Sequence, residues 1–92
     1  MRSILISSFA NKTRLKLLVC LSQGDKNVTE LIGTCGLSQS AVSQHLEKLK
    51  EAKLIFGRRN GKEIVYKLAN TRSAEIAKNL LKLEREVNIN EG

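Results

Sequence analysis

Proline and tryptophan are missing from the 92 residues, and the aromatic rings are limited to Phe9, Phe56 and Tyr66. Without proline nothing breaks a helix from within, so the long stretches between glycines favour helices. Three rings are too few for single-stranded nucleic acid held by stacked bases, which needs a series of aromatic platforms. The two cysteines, Cys20 and Cys35, make no disulfide framework and no Cys-x-x-Cys pair. The N-terminus lacks the long apolar region of a signal peptide, and no apolar run approaches the length that spans a bilayer. A cytoplasmic location with reduced thiols is therefore expected. The chain also lacks a glycine-rich phosphate loop, a Ser-His-Asp set and a paired-carboxylate cleft, so neither catalysis nor a cofactor is expected.

What the chain has is positive charge. Lys and Arg outnumber Asp and Glu by 16 to 9, a net +7. An excess of that size on so short a chain points to a polyanionic partner. The length suits one small domain over residues 1–92, with a single modest core.

Hydrophobic spacing sets out the elements. Ile4, Leu5, Phe9 and Ala10 predict a short helix over residues 3–10. Asn11 is placed to cap a second helix over about 12–22, with Leu15, Leu18, Val19 and Ser22 on one face and Leu17 and Leu21 beside them. Lys12, Arg14 and Lys16 fall nearer the solvent on this pattern, and Gly24 is a natural stop. Asn27 with Glu30 reads as a capping box, which starts a third helix that ends at Gly36. Ser38 is placed as the cap of a fourth helix to about Lys53. There Leu37 and Val42 have the spacing of a hydrophobic staple, and Val42, Leu46 and Leu49, with Ala41 and Ala52, form the buried stripe. Strand character follows at Leu54-Ile55-Phe56 and Ile64-Val65-Tyr66, joined through Asn60-Gly61 as the two central residues of a type I′ turn. From Thr71 the helical period returns as a narrow seam of Ile76, Leu80, Leu83 and Val87, with a frayed tail beyond.

The predicted fold is mainly α with a β-hairpin, in the order α-α-α-α-β-β-α: a winged helix-turn-helix. The fourth helix is the candidate reader: its outward face carries Gln39, Ser40, Ser43, Gln44, Glu47 and Lys48, Ser38 stands at its start, and His45 lies between that face and the core stripe, with all but Glu47 candidates for DNA contact. Glutamine can pair bidentately with adenine, and serine serves donors or acceptors. Alternatively, these short polar side chains only keep a helix soluble. His45, the one histidine, either donates to a phosphate or base or is satisfied by the backbone. The hairpin carries Arg58, Arg59, Asn60 and Lys62, suited to a phosphate or a minor groove. An alternative role for that charge is to discourage edge-to-edge aggregation. Between Lys48 and Lys67, seven basic residues face two acidic ones, whereas four basic and four acidic residues balance from Thr71 onward.

The apolar seam on the last helix needs cover. Pairing Ile4, Leu5, Ile76, Leu80, Leu83 and Val87 with a second copy would supply it, and would set two reading helices about 34 Å apart on a palindromic duplex. A seam consumed within the protomer is the alternative. Three functions compete at this point. They are a homodimeric regulator of double-stranded DNA, a protein-interaction winged helix without sequence-specific DNA binding, and an RNA binder. The last ranks lowest, because A-form grooves exclude an inserted helix.

Several segments resemble the ArsR/SmtB family of bacterial and archaeal repressors. They are Thr13-Arg14-Leu15 through Leu18, Val28-Thr29-Glu30-Leu31, Leu37 to Leu46 with Leu49, Ala52 and Leu54, Arg58-Arg59-Asn60-Gly61, and Tyr66-Lys67-Leu68. The resemblance spans about residues 5–70 and is most specific from Leu37 to Leu46. It implies a homodimer joined through the first and last helices, and DNA release by an inducer such as a metal ion, an arsenical or an oxidising sulfur species. The chain departs from the family's metal sites. Where one site has Cys-Val-Cys this chain has Asn27-Val28-Thr29, and residues 71–92 offer no His or Asp. With Cys20, Cys35 and His45 too few for a tetrahedral zinc site, no metal is expected. A further subgroup senses oxidants through cysteines on the second and last helices. Here Cys20 falls about one position late and the last helix has no cysteine. Inert burial as small hydrophobes is therefore the expected role of Cys20 and Cys35, with a redox thiol at either the competing role.

Overall fold

The computed structural model describes residues 3–91, with side chains through Asn88. Its elements run α1 (Ile4–Ser7), α2 (Lys12–Leu21), β1 (Lys26–Asn27), α3 (Val28–Cys35), α4 (Gln39–Glu51), β2 (Ile55–Asn60), β3 (Glu63–Leu68) and α5 (Arg72–Glu91).

Local chemistry accounts for the boundaries. Asn11 caps α2 by accepting from the Arg14 amide at 3.1 Å. The Asn27 capping box forms in full: its side chain accepts from the Glu30 amide at 2.8 Å, and Glu30 accepts from the Asn27 amide at 3.1 Å. Gly36 closes α3 in the left-handed region, at φ 66°, which suits a residue without a Cβ. Ser38 takes the N-cap position of α4 but, against expectation, makes no side-chain cap bond; its carbonyl accepts from the Val42 amide instead. The helix also stops earlier than expected, at Glu51, with Ala52 as C-cap.

The core is built around α2, which lies along α5 and against α4. Leu17, Leu18, Leu31, Val42, Leu46 and Leu49 are sealed from solvent. Burial of each of these side chains contributes on the order of 1.5–3 kcal/mol. The buried face of α2 keeps the predicted Leu15 and Leu18 but is wider than expected. Leu17 and Leu21 lie in the core, Ser22 is exposed, and Arg14, expected near solvent, is buried. Arg14 is tolerated inside because its guanidinium is hydrogen-bonded, as described below.

The sheet has three antiparallel strands in the order β1-β3-β2, not the two expected. Lys26 and Asn27 pair with Tyr66 and Val65. A two-residue strand is too short to leave a period in the sequence. The hairpin ladder runs from Ile55 opposite Leu68 to Asn60 opposite Glu63. Asn60 is thus the last ladder residue and not a turn centre. The turn centres on Gly61 and Lys62, and only Gly61 has a left-handed φ, at 66°. Glycine at the first central position is the type II′ preference, and it spares Lys62 the strain a type I′ turn would impose. The first helix is a single turn from Ile4 and not residues 3–10, and α5 is assigned as helix from Arg72 to Glu91.

Candidate nucleic-acid interface

α4 divides its residues cleanly. Val42, Leu46 and Leu49 anchor it in the core, with Ala41 and Ala52 half-buried. Gln39, Ser40, Ser43, Gln44 and Lys48 are exposed on the outer side. Ser38 is exposed just before the helix, and its hydroxyl is not consumed by a cap bond. The Gly36 turn connects α4 to α3, which completes the helix-turn-helix pair.

His45 is half-buried between the two sides of α4. Its Nδ1 lies 3.1 Å from a terminal nitrogen of Arg14. A guanidinium has no acceptor, so Nδ1 must accept, and the ring is neutral with its proton on Nε2. Burial holds the imidazole pKa below its ordinary value, and the charges of Arg14 and Lys48 lower it further.

In the wing, Arg58, Arg59, Asn60 and Lys62 are all exposed. Arg58 lies opposite Val65 and Arg59 opposite Ile64. Successive strand residues leave opposite faces, so the two arginines stand on either side of the ribbon. The acidic residue at the tip is engaged elsewhere: Glu63 accepts from the Asn27 side-chain amide at 3.0 Å.

The apolar seam is not consumed within the protomer. α5 turns Ser73, Ala74 and Ala77 inward, with Leu81 half-buried. Ile76, Leu80, Leu83 and Val87 remain exposed, from 37% at Leu80 to 54% at Leu83. Ile4 and Leu5 are exposed as well, and Ile6 adds a further open apolar side chain. Phe9 and Leu15 line one surface hollow together with Leu80, Leu83 and Val87.

The structure joins the two cysteines. Cys20, in the last turn of α2, and Cys35, in the last turn of α3, form a disulfide with their Cα atoms 6.3 Å apart. That separation lies within the range disulfides span. The sequence presents them as separate thiols, because their closeness arises only from the α2–α3 crossing. Arg14 is the other feature that spacing missed, since nothing marks it among the neighbouring lysines.

A helix-turn-helix followed by a basic two-stranded ribbon and a long terminal helix defines a winged helix-turn-helix protein. The family described as bacterial regulatory protein, arsR family, matches residues 11–55. The biofilm growth-associated repressor of Agrobacterium fabrum is 36% identical over 74 residues, which cover 80% of this chain and 63% of the relative. The structure of HlyU from Vibrio cholerae is similar at TM-score 0.72 and 34% identity, covering 87% of each chain. The homodimeric winged helix-turn-helix DNA-binding domain of Mb0332 from Mycobacterium bovis is similar at TM-score 0.71 and 25% identity, over 97% of this chain and 82% of that one. The chain therefore belongs to the ArsR family. It spans about three-fifths of the length of the curated relatives it matches.

Proposed function

We propose that this protein is a sequence-specific regulator of transcription that binds double-stranded DNA as a homodimer on a palindromic operator, and that it acts from the cytoplasm as a repressor, with residues 1–92 as one binding unit. The observation that carries this reading is the outer side of α4. Gln39, Ser40, Ser43, Gln44 and Lys48 stand exposed on a helix anchored by three core side chains. Ser38, Gln39, Ser40, Ser43 and Gln44 are assigned to base edges, with Lys48, Arg58, Arg59, Asn60 and Lys62 on phosphates or in a groove. The open seam of Ile76, Leu80, Leu83 and Val87, with Ile4 and Leu5, supports the dimer. The Mycobacterium bovis neighbour, described as homodimeric, supports it too. Repression follows the Agrobacterium relative; another relative, from Vibrio cholerae, is named a transcriptional activator. Cys20 and Cys35 are assigned as a redox pair that ties α2 to α3.

Selection of bound duplexes from a random pool tests the reading, alongside sedimentation of the free protein. Enrichment of a motif with two-fold symmetry, bound by a dimer, is the expected result. Bound duplexes without a shared motif, or a protein that stays monomeric at micromolar concentrations, would overturn it. Affinity should also fall linearly with the logarithm of salt concentration, as phosphate contacts require.

A further inference from the structure

Arg14 is the one ionised side chain buried among the described residues, with 9% of its surface exposed. Its guanidinium bonds to two other parts of the fold. Nε donates to the Ser8 carbonyl at 3.0 Å, and one terminal nitrogen donates to the Ser7 carbonyl at 3.0 Å. These carbonyls lie where the α1 turn ends; the Ser7 carbonyl also accepts from the Ala10 amide at 3.0 Å. The other terminal nitrogen donates to His45 Nδ1 at 3.1 Å, on α4. Arg14 therefore links the N-terminal turn, α2 and the candidate reading helix through one planar group.

The rigid fork has a consequence for His45. Because Arg14 can only donate, the imidazole is held with Nδ1 as acceptor and Nε2 as donor. The ring is half-buried, flanked on α4 by exposed Gln44 and, one turn on, by exposed Lys48. Its remaining hydrogen-bonding atom is thus a fixed N–H donor on a helix whose neighbouring polar residues face solvent.

We propose that Arg14 is a positioning residue for DNA binding: it orients His45 and fixes its tautomer so that Nε2–H donates to a phosphate oxygen of the duplex backbone. The proposal rests on the DNA-binding reading above. It adds a contact that reads no sequence, and it ties the orientation of α4 to the turn beside the proposed dimer face. A side-chain donor to the phosphate backbone sets register on the duplex.

The test uses the full chain and a duplex enriched by selection. Nitrogen NMR of the imidazole in the free protein should show an unprotonated Nδ1 and a protonated Nε2. Arg14→Lys keeps the charge but loses the fork, and should leave a mixture of tautomers. His45→Ala should weaken binding about tenfold for each protomer of the dimer, the usual order for a hydrogen bond to a charged group, and by the same factor on all duplexes. His45→Gln, whose amide can accept from Arg14 and donate outward, should restore most of that loss. Arg14→Lys should weaken binding by a similar factor alone and by nothing further in the His45→Ala background.

Additive losses in the double variant would show that Arg14 acts through the fold and not through His45. A protonated Nδ1 in the free protein, or His45→Ala binding as tightly as the parent, would overturn the proposal even if Arg14→Lys fails to fold. Those results leave parental duplex binding intact. A parent protein that binds no duplex would instead overturn the DNA-binding reading, and this proposal with it.

Discussion

The Leu54 amide reaches back over Lys53 to donate to the Leu49 carbonyl at 3.0 Å, while the Lys53 amide donates to the Lys50 carbonyl at 2.9 Å. These two bonds are the Schellman closure of a helix, and they turn the chain from α4 into the wing. The residue at the turn is left-handed, and here it is Lys53 at φ 60°, where glycine is the usual choice. A Cβ in that region costs roughly 1–2 kcal/mol. Glycine recovers most of it, less its own larger entropy loss on folding. Lys53→Gly should therefore raise stability by about 0.5–1 kcal/mol. Urea unfolding should show a higher midpoint with an unchanged slope. An unchanged or lower midpoint would mean that the closure does not strain Lys53.

The Cys20–Cys35 bond closes a loop with a sequence separation of 15, across the junction of α2 and α3. A loop of that size stabilises a fold by about 3 kcal/mol, chiefly by restricting the unfolded chain. Reduction should lower the urea midpoint by a corresponding amount, and Cys35→Ser should match the reduced protein and no longer respond to reductant. Alkylation of unreduced, denatured protein should find no free thiol. A midpoint indifferent to reductant, with both thiols alkylated, would remove the disulfide from the account.

Periodicity and caps made much of the fold legible. The α3 capping box and the Val42-Leu46-Leu49 stripe both form where the spacing puts them. The outer side of α4 was equally open to reading, because a helix anchored by three core residues has only one way to face. Features that depend on where two distant segments cross were not legible. Arg14 reads as solvent-facing until the Ser7 and Ser8 carbonyls and His45 come round to meet it. The Cys20–Cys35 pairing and the added strand β1 share that origin. The hairpin turn lies one position later than the Asn-Gly pair implies. An Asn-Gly pair fits a type I′ turn locally, but the ladder extends to Asn60 opposite Glu63 and moves the turn onto Gly61-Lys62.

Gly57 lies opposite Tyr66 in the ladder, and space there is short. A Cβ at position 57 would lie 2.8 Å from Ile64 Cγ2 and 3.3 Å from Tyr66 Cε1. The Tyr66 ring is buried and cannot move freely, whereas Ile64 is exposed and can. Gly57→Ala should therefore destabilise the protein by about 1 kcal/mol, at the low end for overpacking. Ile64→Ala removes the nearer clash, so the double variant should be more stable than the sum of the two single effects. Strict additivity in thermal unfolding would show that Ile64 is not the obstacle.

Arg59 and Gln44 should fail in different ways, because one sits on the wing and the other on the outer side of α4. Arg59 is exposed opposite Ile64 with no acidic partner among the described side chains. On a phosphate it contributes affinity without sequence information. Arg59→Ala should then weaken binding to specific and random duplexes alike, and, with one Arg59 lost from each protomer of the dimer, should reduce the slope of log affinity against log salt by about 1.8. Gln44 carries two hydrogen-bonding atoms that can match one base edge. Gln44→Ala should cost about 1–3 kcal/mol in each half-site of the selected duplex and relax preference at one base pair per half-site, with the salt slope unchanged. Equal losses on selected and random duplexes for Gln44→Ala would take the base-reading role away from α4 and leave it a phosphate-binding surface.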